Sequence, residues 1–126
     1  MNRQIISTPK APAAIGTYSQ AVKVDSTVYI SGQIPLDPES MEIVSDDFAE
    51  QAKQVFANLI AVADASGGKL SDAVKLNVYL TDLNDFASLN EVMSSIMQEP
   101  FPARAAVQVA ALPRGARVEI DAVLCI

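Results

Sequence analysis

Residues 73–97, AVKLNVYLTDLNDFASLNEVMSSIM, change their hydrophobic period halfway along, and that change decides the fold. From Ala73 to Leu80, Val74, Leu76, Val78 and Leu80 alternate with Lys75, Asn77 and Tyr79, which predicts a strand with one core face and one semi-polar face. From Phe86 onward the apolar positions are Phe86, Leu89, Val92, Met93, Ile96 and Met97, the spacing of a helix face, and the run stops ahead of Pro100 and Pro102. Between the two, Asp82-Leu83-Asn84-Asp85 supplies a turn and a helix cap. The turn lacks the distal Glu and central Gly of a calcium loop, so it is read as structural.

Working outward, two more strands are predicted downstream, Arg104 to Ala110 and Arg117 to Leu124, joined by Leu112-Pro113-Arg114-Gly115. Upstream, Ser45 is a good N-cap, followed by Asp46 and Asp47 in the positive first turn of a helix that carries Phe48, Ala52, Val55, Phe56, Leu59, Ile60 and Ala63 on one face. Gly67-Gly68 follows that helix and reads as its C-cap rather than as a phosphate loop, which would precede a helix. Ala21 to Val24 and Thr27 to Ile30 form a hairpin across Asp25-Ser26, after which Gly32, Pro35 and Pro38 open a loop running through Met41 to Val44. No linker or internal repeat interrupts the 126 residues, so residues 1–126 are read as a single domain. The order strands, helix, strand, helix, strands predicts an α+β fold, a mixed sheet covered on one face by two crossover helices. The uncovered face would carry Asn77, Tyr79, Arg104 and Gln108 among apolar positions, a surface that a symmetric homo-oligomer would cover.

Composition removes several chemistries. With no histidine and one cysteine, Cys125, the chain has no Cys/His zinc site, no internal disulfide and no Ser-His or Cys-His nucleophile pair. Cys125 is read as inert packing. A net charge of -6, with nine scattered Lys and Arg residues, argues against a nucleic-acid footprint. No stretch has the length of a signal peptide's apolar core or of a membrane span, so no membrane partner is expected and a cytoplasmic location is.

Any catalysis must therefore run on carboxylates, hydroxyls, Arg, Lys, backbone amides and water. Arg104 and Glu119 are the two charges that stand inside apolar strand runs, FPARAAVQVAALP (101–113) and VEIDA (118–122). Two readings stand. The charges neutralise each other across neighbouring strands as a structural pair, or they form the ends of a small polar pocket in which the guanidinium fork grips a carboxylate.

Those two segments closely resemble the signature of the RidA/YjgF/UK114 family of enamine and imine deaminases. GTYSQAV (16–22), ISGQIP (30–35) and DLNDFASLNEV (82–92) are similar to its other blocks, and the likeness spans about Ala11 to Ala122. The resemblance implies a chorismate-mutase-like (YjgF-like) fold and a homotrimer with its sites between subunits. It also implies hydrolysis of 2-iminobutanoate and 2-iminopropanoate, with their enamine tautomers, to 2-keto acids and ammonia, downstream of pyridoxal-phosphate-dependent dehydratases and with no cofactor of its own. By the same resemblance, Arg104 grips the substrate carboxylate and Glu119 positions or activates water. Tyr18, Ser31, Gly32 and Asn90 line the pocket, Tyr18 reaching across from a neighbouring subunit. A non-catalytic trimer that binds small carboxylates or acts as a chaperone-like module is the alternative.

The chain departs from the family pattern twice. Ala106 stands where many bacterial relatives carry a cysteine, so thiol chemistry does not transfer, and Thr17 stands where proline commonly precedes the tyrosine.

Overall fold

The computed structural model describes residues 2–126. Its elements are β1 (Arg3–Ile6), β2 (Ala21–Val24), β3 (Thr27–Gln33), α1 (Phe48–Ala65), β4 (Ala73–Leu80), α2 (Phe86–Ile96), β5 (Ala103–Gln108) and β6 (Val118–Cys125). The strands form one six-stranded sheet in the order β1-β2-β3-β6-β4-β5. Every neighbouring pair is antiparallel except β4 with β5, which the α2 crossover makes parallel.

Both helices lie on one face of this sheet. Val28 and Ile30 of β3, Leu76, Val78 and Leu80 of β4, and Val118, Ile120, Ala122 and Leu124 of β6 point into it. They meet Phe56, Leu59 and Val62 of α1 and Leu89, Val92 and Met93 of α2 in one continuous core. At Ala73–Lys75 the β4–β6 register shifts, so Ala73 is buried and Val74, expected in the core, is exposed. On α1 the inward position is Val62, whereas Ile60 turns toward solvent.

Three expectations need correction. Helix α1 is capped by Asp47 rather than Ser45: the Asp47 carboxylate accepts from the Glu50 amide at 3.1 Å, and the Ser45 hydroxyl accepts from the Asp47 amide at 3.0 Å. A strand absent from the sequence reading, β1, pairs with β2 along the sheet edge. It shows no period of two because only Ile6 of its four residues is buried. Finally, β5 and β6 are not neighbours, since β4 lies between them.

That insertion sets the faces of the two key charges. Arg104 and Gln108 register with Leu76 and Leu80, on the helix-covered side, whereas Glu119 registers with Tyr79, on the other. Arg104 and Gln108 therefore do not belong to the uncovered face, and Arg104 cannot pair with Glu119 within one chain. The uncovered face carries Tyr29, Asn77, Tyr79, Val107, Asp121 and Val123, a band of mixed polarity with Tyr29 and Val107 about half exposed.

The turns explain the remaining punctuation. The β2–β3 hairpin closes with Asp25 at φ 53°, a left-handed conformation that a short Asx side chain tolerates better than most. Gly67, at φ 90°, ends α1, and the amides of Gly67 and Gly68 donate back to the Asp64 and Ala63 carbonyls at 3.1 and 3.2 Å.

The capping assignment is directly testable. Asp47→Ala should lower stability by about 1 kcal/mol, with a smaller loss for Ser45→Ala, both read from urea unfolding midpoints at one fixed protein concentration.

Candidate active site

Where β3 ends, an open cleft of about 560 Å³ lies between the N-terminal loop, the segment after β3 and the turn before β6. Tyr18, Ser31, Gly32 and Glu119 all line it, together with an apolar wall that includes Ile15, Ile34 and Leu36. Four of the six residues singled out from the sequence are thus brought together in one chain.

Buried amides hold the walls. Gln20, only 3 % exposed, accepts from the Thr8 amide at 2.6 Å and donates to the carbonyls of Thr8 at 3.0 Å, Ala11 at 3.3 Å and Pro12 at 2.8 Å. Asn58 on α1 donates to the carbonyls of Ile34 at 3.3 Å and Leu36 at 3.1 Å. A buried side-chain amide satisfies several backbone groups at once, so these two residues fix loops that have no ladder of their own. Neither was singled out from the sequence. Gln20 lay inside the GTYSQAV block, and an uncharged amide at the mouth of a strand gives no periodic signal.

Within the cleft, Ser31 donates its hydroxyl to the Ser19 carbonyl at 2.6 Å, and its amide donates to the Gln20 carbonyl at 3.0 Å. Ser31 therefore joins strand β3 to the segment carrying Tyr18. The Tyr18 hydroxyl accepts from the Ile15 amide at 3.2 Å, while the ring is about half exposed. Gly32 faces Glu119 at the point where the β3–β6 register slips. A Cβ built on Gly32 would collide with the Glu119 carboxyl, lying 2.9 Å from its Cδ. A side chain here would have to push the Glu119 carboxyl aside.

Glu119 is half-buried and, among the described residues, neither accepts a hydrogen bond nor forms an ion pair. Its carboxyl is held above the ordinary carboxylate range, first by burial and then by the negative charge of Asp121 on the same strand face. A carboxylate in that state is a better proton acceptor than one in water. Asp121 itself is tied down, accepting from Asn77 Nδ2 at 2.8 Å and from the Tyr79 hydroxyl at 3.0 Å. The same bond raises the Tyr79 phenol.

Arg104 and Asn90 lie elsewhere. The Arg104 Nη1 donates to Asn90 Oδ1 at 2.7 Å and to Met93 Sδ at 3.4 Å, and the guanidinium stands over the Phe86 ring at 5.1 Å. A second, shallower cavity of about 380 Å³ opens beside it, lined by Met93, Ser94, Phe101 and Pro102. No carboxylate among the described residues reaches Arg104. By contrast Arg117, the other strand-flanking arginine, is used structurally, with Nη2 within 3.0 and 2.9 Å of the two Asp85 carboxylate oxygens. The six residues singled out from the sequence thus fall into two groups, one around Glu119 and one around Arg104. Among the described residues no group of three or more His, Cys, Asp or Glu is placed to hold a metal.

Comparison with known proteins is consistent along the whole chain. The family model described as Endoribonuclease L-PSP matches residues 8–126. A 2-iminobutanoate/2-iminopropanoate deaminase of Dermatophagoides farinae is 50 % identical over 124 residues, covering 98 % of this chain and 97 % of that protein. The mouse (Mus musculus) protein of the same name is 54 % identical over 121 residues, covering 96 % of this chain and 90 % of that one. Among solved structures, RidA from an Antarctic Psychrobacter superposes with a TM-score of 0.95 at 63 % identity, covering 98 % of this chain and 99 % of that one. Escherichia coli TdcF, solved with bound serine, gives 0.93 at 42 % identity, with 98 % of each chain covered. A family model that spans nearly the whole sequence, and relatives at least half identical over the same length, lead to one conclusion: the chain belongs to the RidA/YjgF/UK114 family.

Proposed function

We propose that this protein is an enamine/imine deaminase that hydrolyses 2-iminobutanoate and 2-iminopropanoate to the corresponding 2-keto acids and ammonia. The observation that carries this reading is Glu119, a carboxylate with no hydrogen-bond or ion-pair partner among the described residues, facing a cleft and raised toward neutrality by burial and Asp121. The names of the curated relatives support the same chemistry.

The residues divide the work simply. An iminium carbon is already electrophilic, so what must be supplied is a held substrate and a deprotonated water. Arg104 holds the carboxylate through its planar fork. Phe86 and Asn90, against which the guanidinium packs, fix the direction of that fork. Glu119 takes a proton from water as the oxygen attacks C2, giving a carbinolamine. Glu119 returns that proton to the amino nitrogen and then takes the hydroxyl proton as the C–N bond breaks, so ammonia leaves and the C2 oxygen becomes the keto group. Ser31 and Tyr18 line the space where the substrate rests, and Gly32 leaves room for the catalytic carboxylate. Hydrolysis needs only water as co-reactant.

The separation of the two groups supports a homotrimer in which Arg104 and Asn90 of one subunit face Glu119, Gly32, Ser31 and Tyr18 of the next. A sheet face carrying half-exposed Tyr29 and Val107 offers the surface for such an assembly. The net charge of -6 supports a small-molecule substrate over a nucleic acid. A cytoplasmic location belongs to the same reading, since Cys125, the one cysteine, is a free thiol. Among the described residues no helix is long and apolar enough to cross a membrane.

Four results are expected. Added to a threonine dehydratase reaction with semicarbazide as trap, the protein should speed keto-acid release and reduce semicarbazone, whereas Arg104→Ala should do neither; no effect from the wild type removes the reading. Mixing Arg104→Ala and Glu119→Ala subunits should restore about a quarter of wild-type activity if random trimers place the two residues on different chains, and none if one chain supplies both. Gly32→Ala should displace the Glu119 carboxyl and cut kcat roughly 10- to 100-fold by misplacing the base, with unfolding little changed. Because Glu119 must be deprotonated to accept a proton, kcat/KM should fall as pH drops through its pKa, at a pH above that of a solvent-exposed glutamate. Glu119→Gln should abolish that limb.

A further inference from the structure

We propose that Asp121, tied down by Asn77 and Tyr79, is a positioning residue for Glu119: a fixed negative charge on the same sheet face that keeps the Glu119 carboxylate a strong enough base to activate water. The proposal rests on the deaminase reading of Glu119 and adds a group that does not touch substrate.

The placement is dictated by the strand. Glu119 and Asp121 are two residues apart on β6, so both side chains leave the same face at a spacing of roughly 7 Å. Directly opposite them on β4 stand Tyr79 and Asn77. Tyr79 faces Glu119 in register yet gives its hydroxyl to Asp121 Oδ2, and Asn77 gives its amide to Oδ1. Both β4 donors are thus spent on Asp121 and neither on Glu119. The consequence is asymmetric. Two donors hold the Asp121 carboxylate in place, while Glu119 keeps both oxygens free for water.

Within its own chain the other groups around Glu119 do not cancel this charge, and Arg104 of the next subunit, common to every variant compared, acts on all their profiles alike. From β3 it meets Ser31 and Gly32, which carry none, and the cleft also receives Tyr18 from the N-terminal loop. Arg114, on the turn before β6, lines the same cleft but donates Nη2 to the Met41 carbonyl at 2.8 Å. Lys75 shares the face but registers with Val123, beyond Asp121. Burial and Asp121 are the two influences that raise the Glu119 carboxyl, in that order. Two carboxylates on one face, one held by two hydrogen bonds and one free, therefore have different work.

The test is the pH profile of kcat/KM for imine hydrolysis. Asp121→Asn keeps the shape and removes the charge, so the acidic limb should move to lower pH while the plateau rate falls several-fold, because a less basic carboxylate activates water less well. The limb should not move all the way to that of an exposed glutamate, since burial remains. Asp121→Glu should hold the limb near its wild-type position. Asp121→Ala removes the carboxylate outright and should shift the limb the same way as Asp121→Asn. Should Asp121→Asn fail to assemble, the Asp121→Ala profile decides alone. A limb that stays in place in every variant that folds overturns the proposal, even if rates drop. An inactive wild type in the same assay would instead defeat the deaminase reading beneath it.

Discussion

Everything in this molecule is arranged around the alternation of one central strand. Along β6, Val118, Ile120, Ala122 and Leu124 are drawn into the core, and the period of two then obliges Glu119 and Asp121 to face the other way. A one-residue slip would bury two carboxylates and expose four apolar side chains. The sheet cannot accept that exchange, so the hydrophobic pattern itself fixes the direction of the acid group. Neighbouring β3 shifts register between Ile30 and Gln33, and Gly32 within that stretch leaves space for the carboxyl against the backbone.

The same rule keeps Arg104 apart. Arg104 stands in register with Leu76, so it emerges on the helix side, where Phe86, Asn90 and Met93 of the α2 region receive it. Its aliphatic stem and flat head suit such a setting, since guanidinium stacks on aromatic rings and is only weakly hydrated. An arginine on a free sheet edge with no carboxylate partner retains donors for a ligand. Geometry within one chain thus keeps Arg104 and Glu119 apart, and in the proposed mechanism they meet only between subunits.

How far these features could be read from the sequence depended on their range. The periods of 73–80 and 86–97 are local, and they gave the strand and the helix within a residue or so. Arg104 and Glu119 stood out because charge is rare in apolar strand runs. Strand order is a different kind of information. That β4 lies between β5 and β6 depends on pairings between residues 28 or more positions apart, and no local pattern encodes them. The expectation that Arg104 shared the uncovered face failed for that reason. Strand β1 escaped notice because an edge strand with one buried residue has no alternation to show. Ser45 and Asp47 are both good caps, and the choice between them depends on where Phe48 enters the core, which is a tertiary matter.

The buried amides have a further consequence. Gln20 and Asn58 lock the carbonyls of two irregular segments, so the cleft is already shaped before anything enters it. An imine in water is a perishable substrate, hydrolysing unaided, and an enzyme that acts on it competes with the solvent for each molecule. A receptor that first had to fold a loop around its ligand would lose part of that race. Rigidity at the mouth is therefore a kinetic asset: the molecule works by interception, ready at the moment of encounter.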